Sequence, residues 1–262
     1  MGKLFLILML LVIYAPILIL AVYSFTDSGN IGSIHGFSMQ NYVTLFTKGE
    51  LRDMIVGTVL LALVSSLLAT IFGTMGAIGA FYSKKLAKNF INTANQIPVV
   101  NADVVTGFSM CILLVVVFGV SKDTYIPLVL GHVVLSAPFV YLAVVPKLKQ
   151  MDPSLYEAAL DLGATPGYTL IHIIIPQIAS GIISGFVMAV TLSLDDYFVA
   201  TYTKPATFDT ISTYVVNATK GSQTNIRTAL WALSTIIFLI VVIVEVVMNF
   251  APIKNEAQKE KH

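Results

Sequence analysis

Apolar residues in this chain run in long blocks with neither the alternation of a half-buried strand nor the short bursts of a soluble core, and the rare charges mark where each block ends. Counting uncharged residues between successive charges gives 23 between Lys3 and Asp27, 30 between Asp53 and Lys84, and 18 between Asp103 and Lys122. Further along there are 23 between Asp123 and Lys147, 33 between Asp161 and Asp195, and 17 between Arg227 and Glu245. About 20 apolar residues in helical form cross about 30 Å of hydrocarbon. The pattern therefore predicts an all-α integral membrane protein with six transmembrane helices, at about residues 4–25, 56–82, 100–120, 125–146, 176–199 and 229–250. The last is long enough only if Glu245 lies inside it, where a side chain close to the interface can snorkel. Leu, Ile and Val without period-two alternation argue helices over barrel strands, since helices satisfy their own backbone groups.

Composition agrees with that solvent. Of 262 residues 56% are hydrophobic and 11% charged, against about 25% charged in soluble domains. A net charge of +1 gives no pull towards nucleic acid. The one cysteine, Cys111, excludes an intramolecular disulfide and a four-cysteine metal site. The first apolar run is longer than a signal peptide's 7–15-residue core and lacks a clear small-x-small cleavage site, so it reads as a span. With a cytoplasmic N-terminus the inner segments hold Lys3, Lys84, Lys85, Lys88, Lys147, Lys149, Lys254, Lys259 and Lys261, and the outer ones Lys48, Arg52, Lys122, Lys204, Lys220 and Arg227. Nine against six places both termini in the cytoplasm.

That topology makes residues 147–175 the longest cytoplasmic loop, and its residues form a pattern. Asp152 followed by Pro153 is a helix-start signature. Leu155, Ala158, Ala159 and Leu162 recur at helical spacing, and Gly163 can adopt the left-handed conformation that closes a helix. Thr165 and Pro166 begin a second helix leading into Pro176. The pattern alone fits two structures: a compact knob, or a hairpin lying on the membrane with Leu155 and Leu162 in the headgroups.

Glu157-Ala158-Ala159, three residues, Gly163, nine residues and Ile173-Ile174-Ile175-Pro176 resemble the EAA loop of importer-type ABC transporter permeases, E-A-A, three residues, G, nine residues, I-x-L-P. The departure is Ile175 for leucine, a volume-conserving change. The resemblance implies a type I ABC importer permease-like bundle whose loop 147–175 is a coupling element docking on a separate ATPase. The resemblance makes Glu157, Ala158, Ala159, Asp161, Gly163 and Pro176 its expected ATPase-coupling residues. ATP and Mg then belong to the partner ATPase and no cofactor to this chain; no G-x-x-x-x-G-K-[ST] phosphate loop occurs in the sequence.

The passage Ser193-Leu194-Asp195-Asp196-Tyr197-Phe198-Val199 is similar to the S-[LM]-D-D signature of the spermidine/putrescine group of these permeases, which implies a polyamine cargo. Adjacent carboxylates at the end of an apolar helix are costly unless water, a partner or a cation meets them. The 19 residue steps from Pro176 to Asp195 rise about 29 Å in a straight helix, placing the pair at the outer mouth. Asp195 and Asp196 are candidates for the substrate pathway, with Tyr197 and Tyr202 as cation–π faces. Solvated carboxylates and an interfacial aromatic belt are the structural alternatives. Adjacent helical residues point about 100° apart, so one carboxylate of the two is expected to face the pathway.

Asp103 with Asn101 reads as a helix cap, His132 as a histidine bonded within the bundle, and Gly73, Gly76, Ala77, Gly79 and Ala80 as a close-packing stripe. His35, His172 and His262 share no metal-ligand spacing, and no nucleophile, base and acid assemble, so neither a metal site nor catalysis is expected. The resemblance implies a second permease, two cytoplasmic ATPase subunits and an extracytoplasmic binding protein as partners, in a bacterial cell membrane. A permease for ferric iron or a small organic ion is the rival within this class. A self-contained secondary transporter or channel is the rival outside it, and the inverted repeats common there are not seen.

Overall fold

The computed structural model describes residues 2–26, 36–152, 154–220, 229–240 and 242–243, and among them only helices recur; a single antiparallel bridge joins Thr26 to Phe37. Pro153, Arg227, Glu245, His35, His262 and the far end of the sixth expected span lie outside the described residues. The helices are α1 (Gly2–Ser24), α2 (Gln40–Thr47), α3 (Gly49–Tyr82), α4 (Lys85–Val100), α5 (Asp103–Val117), α6 (Ile126–Gln150), α7 (Ser154–Asp161), α8 (Pro166–Gln177), α9 (Ala179–Asp195), α10 (Phe198–Thr203), α11 (Ile211–Lys220) and α12 (Ala229–Ile240).

Two compact units divide the chain, Met1–Asp53 with Tyr214–His262, and Met54–Thr213. In the first, α1 offers mostly exposed apolar side chains from Phe5 to Val22, the surface that hydrocarbon solvates. Tyr23 meets Trp231 edge-on at 5.7 Å. The Asn41 amide donates to the carbonyls of Ser24 and Thr26, 3.0 Å each, so its buried polar head is satisfied at the helix end.

The second unit is built around α6, which small residues allow its neighbours to approach. A Cβ on Gly73 of α3 would lie 2.7 Å from the Ala137 oxygen and the Val140 Cβ, and one on Gly185 of α9 would lie 3.0 Å from Val140 Cγ1. At these crossings and for two turns beyond them Val140, Val144 and Leu148 are fully buried. In a membrane such contact supplies the attraction that lipid-like side chains lack. The stripe is thus a helix-packing surface at Gly73, at Gly76, where a Cβ would lie 3.7 Å from the Tyr141 ring, and at Ala77 and Ala80, which are buried in the cluster with Val140 and Val144; Gly79 has open space around it.

Six spans are expected, and the described helices provide them less simply. Three continuous helices, α1, α3 and α6, are long and apolar enough to cross a membrane. Two more candidates are bent pairs: α4 and α5 meet at 106°, and α8 and α9 at 72°. The helix α12 is apolar but short over the described residues. The bend before α9 follows Pro176, whose missing N–H and ring disturb the ladder. Just before it, Leu170–Ile174 forms a wide π turn. The α4–α5 bend arises where Asn101 leaves helical geometry, at ψ 144°. Asn101 and Asp103 do not cap α5; the Asn101 amide donates to the Thr106 hydroxyl at 3.1 Å, and Asp103 occupies the first turn, where the helix dipole favours a negative charge.

Candidate functional site: the coupling knob and the Asp195–Asp196 turn

The knob begins where Asp152 Oδ1 accepts the Ser154 N–H at 2.9 Å and the Ser154 hydroxyl at 2.7 Å. These hydrogen bonds hold the Asp152 carboxyl below the usual carboxylate range. The helix α7 ends in a Schellman motif: Ala164 N–H donates to the Ala159 carbonyl at 3.0 Å and Gly163 N–H to the Leu160 carbonyl at 2.9 Å. Gly163 has φ 88°, the region an L-residue adopts at a cost. Thr165 then caps α8, its hydroxyl accepting the Tyr168 N–H at 3.4 Å.

One side of the knob is anchored and the other is open. Ala159 is buried, Leu155 and Tyr156 pack against the cluster containing Leu148, Met151 and Ile174, and the Tyr156 ring lies 5.0 Å from that of Tyr82 at the end of α3. Glu157, Ala158, Asp161, Gly163 and Pro176 are exposed, and Leu162 is 89% exposed. Leu155 therefore faces the protein, whereas Leu162 does not; the surface hairpin would need both in the headgroups.

At the far end of the unit the two aspartates separate. Asp195 is the last residue of α9; its side chain is exposed, and among the described residues no hydrogen bond or ion pair reaches it. Asp196 is buried: Oδ1 accepts the Val199 N–H at 3.1 Å and Oδ2 the Ala200 N–H at 2.7 Å, satisfying the start of α10. Asp196 Oδ2 also lies 3.6 Å from His132 Nε2 of α6, and the two side chains are 2% and 0% exposed. One turn before the pair, Ser193 shares a hydrogen bond with Ser65 of α3 at 3.2 Å. Tyr197 and Tyr202 are half-buried, Tyr197 edge-on to Phe198 at 5.2 Å and Tyr202 edge-on to Phe108 at 5.6 Å. The aromatic rings are engaged in packing, and Asp195 stands alone.

The residue that sequence reasoning undervalued is His132. Its sequence signal is a titratable side chain at the start of α6, level with a carboxylate pair at the end of an antiparallel helix. Among the described residues no three His, Cys, Asp or Glu side chains converge as metal ligands. His172 is exposed and stacks on Tyr168 at 4.1 Å.

With this geometry in view, comparison with known proteins is decisive at the level of family. Residues 69–251 match the family described as binding-protein-dependent transport system inner membrane component. The chain belongs to this family. A putrescine transport system permease protein, PotI of Escherichia coli, is 32% identical over 195 residues, covering 72% of this chain and 69% of that one. A spermidine/putrescine transport system permease protein, PotC of Haemophilus influenzae, is 29% identical over 243 residues, 93% of each chain. The fold is shared with a bacterial ABC transporter involved in the import of alginate, at TM-score 0.69 and 19% identity over 92% of this chain and 91% of that one. It is also shared with the MetNI methionine ABC transporter, at TM-score 0.55 and 14% identity, over 78% and 98%. The protein is a multi-pass permease component of binding-protein-dependent transport, with the all-α fold of type I ABC importer permeases.

Proposed function

We propose that this chain is one of two permease subunits of an ATP-driven polyamine importer, with both termini cytoplasmic, the knob docked on a separate ATPase and Asp195 on the substrate pathway. The cargo reading is supported by relatives named for putrescine and spermidine over most of the chain, and the observation that carries the site is the exposed, unpaired Asp195 carboxylate beside a buried Asp196. A lone carboxylate at a wet mouth attracts an amine cation without the desolvation that a buried one would demand. Asp196 holds the start of α10, while Tyr197 and Tyr202 pack on Phe198 and Phe108. The ATPase docking is supported by the exposure of Glu157, Ala158 and Asp161 on a helix whose opposite side is fixed to the bundle. ATP-driven closure of the ATPases then moves the knob and the attached helices together, opening the pathway between two permeases outward.

The test is uptake into vesicles carrying the permease with its ATPase, second permease and binding protein. Labelled putrescine or spermidine should accumulate on ATP addition, and Asp195→Asn should reduce it. Unchanged uptake by Asp195→Asn sinks the pathway assignment; transport of ferric iron or another small ion with no polyamine uptake sinks the cargo; accumulation without any ATPase sinks the class.

A further inference from the structure

The most unusual feature of the compact unit Met54–Thr213 is a titratable pair sealed inside it. His132 and Asp196 are 64 residues apart in sequence, 3.6 Å apart at Nε2 and Oδ2, and screened from solvent on every side. His132 Nε2 has no hydrogen-bond partner within ordinary hydrogen-bonding distance. Buried polar groups are left in such a state only where something compensates.

The hydrogen bonds around His132 set the proton count of the pair. His132 Nδ1 lies 2.8 Å from the Leu128 carbonyl oxygen. That oxygen accepts only, so Nδ1 must carry a hydrogen. A neutral imidazole protonated at Nδ1 presents a lone pair at Nε2, and this lone pair faces Asp196 Oδ2. An ionised carboxylate there would oppose it with a second lone pair, inside the protein, where nothing screens the repulsion. One additional proton removes the conflict, as imidazolium with carboxylate or as imidazole with carboxylic acid. In both forms the pair is neutral overall. The charge on Asp103 of α5 acts in the same sense, adding a negative field at Asp196, whereas Lys204 is paired with Asp209 and the Phe208 carbonyl.

We propose that the His132–Asp196 pair carries one proton beyond the Nδ1 hydrogen, on Nε2 or on Oδ2, and that this neutral latch, its facing atoms 3.6 Å apart, is the positioning device that ties the α9–α10 turn to α6. It follows that the Asp195–Asp196 signature carries one negative charge to the pathway and not two. The second carboxylate spends both oxygens on the Val199 and Ala200 N–H groups and one on the latch. His132 is a positioning residue: it touches no cargo and acts through Asp196 on the direction in which Asp195 points.

The uptake half of the proposal rests on the pathway reading above, whereas the latch does not, and the experiment separates them. Four variants, H132L, H132Q, D196N and H132L/D196N, are compared in the complete transporter for abundance of folded complex, thermal stability and uptake. H132L leaves the buried Asp196 carboxyl its two backbone N–H donors but removes the side chain that shares its proton and offsets its charge, and should lower folded complex by about tenfold or more. H132Q keeps an N–H donor towards Oδ2 and should stay within about threefold of wild type. D196N retains one acceptor for the α10 N–H groups and offers an amide hydrogen to His132 Nε2.

The deciding arm is the double variant, because H132L/D196N has lost the same histidine volume as H132L but has no unpaired charge. Recovery to within about threefold of D196N supports the latch, since only coupled sites behave in this way. H132L tolerated as well as H132Q overturns it, and so does a double variant as impaired as H132L, which is the behaviour of a packing role. Where H132L yields no complex, the yield of the double variant is the readout and keeps the same two meanings. Asp195→Asn should leave complex abundance unchanged; should it abolish uptake while the abundance results go against the latch, the pathway reading stands and the latch falls.

Discussion

Substituting Gly163 distinguishes two explanations of the glycine in the knob: backbone conformation and room for a docked partner. Gly163 has φ 88°, and a Cβ there would meet nothing within 4 Å in this chain. Any intrinsic penalty is therefore conformational. An L-residue in the left-handed region costs roughly 1–2 kcal/mol, a factor of about 5–30 in the population of the closed turn, and asparagine tolerates the region better than most. A β-branched residue fares worst. The predicted order of turn stability is Gly, then Asn, then Ala, then Val. Hydrogen exchange over residues 154–169 in the purified permease measures it without any partner, because opening the turn releases the Ala164 and Gly163 N–H groups from their Ala159 and Leu160 acceptors. ATP-driven uptake then shows whether coupling follows the same order. If Asn and Ala exchange like Gly yet abolish uptake, the glycine matters for partner contact and the conformational account of coupling is refuted. If exchange at the turn is unaltered in Val, the conformational penalty itself is wrong.

Other outcomes follow from the same geometry. Asp195→Asn removes one wet carboxylate, worth about 1 kcal/mol towards a cation at contact distance, so KM for polyamine should rise roughly fivefold; the difference should shrink at high salt. Gly73→Val would drive a side chain into the Ala137 carbonyl and Val140, and should cost about 1–3 kcal/mol or more, visible as reduced folded permease in membranes. Asp152 gives a pH signature at the knob: its carboxyl is held low by Ser154, so its contribution is present above the ordinary carboxylate value near 3.9 and is lost as pH falls through the lower folded value. Exchange in the first turn of α7 should be insensitive to this group from about pH 5 to pH 8 and rise only in acid, whereas Asp152→Ala should raise it throughout.

What the sequence conveyed and what it concealed divide by range. The turn at Gly163 is legible because its signals are local: a helical stripe, a glycine after it, and a threonine and proline restarting the chain. Long charge-free stretches are legible for the same reason, since bilayer thickness is a local constraint. The helix α4 was concealed. Lys84, Lys85 and Lys88 read as the end of a loop, and Asn92 and Asn95 lower the apolar content that marks a span. Their partners lie on α6: the Tyr141 hydroxyl donates to Asn92 Oδ1, and the Asn95 amide donates to the Pro138 carbonyl at 3.3 Å. A polar residue in a span looks misplaced until the helix that satisfies it is known. His132 and Asp196 are the same problem in sharper form. Spacing showed that the two aspartates point different ways, but only the packing of α6 against α9 shows which of them is sealed.

The arrangement of α6 gives a physical reason why a knob at one end of the compact unit can act on a turn at the other. From His132 to Leu148 the helix rises about 24 Å, and its contacts along that length leave little slack. Gly73 and Gly185 bring α3 and α9 to backbone distance near Val140, Leu148 and Ile174 share the buried cluster that receives Leu155 and Tyr156, and His132 meets Asp196 at the opposite end. Close-packed helices of this kind translate or rotate more readily than they shear, because sliding by a fraction of a residue would set Cβ atoms against carbonyl oxygens already within 3 Å of where a methyl would stand. On the proposed docking of the knob, a push there would be delivered to the Asp195 turn as displacement of the whole bundle, and a weakened crossing should uncouple the two ends before it unfolds either. Gly185→Ala is the mild form of that injury: its Cβ would lie 3.0 Å from Val140 Cγ1, close enough to force a small separation. The result to look for is ATP hydrolysis preserved with uptake diminished; equal loss of both would mean that the crossing serves assembly alone.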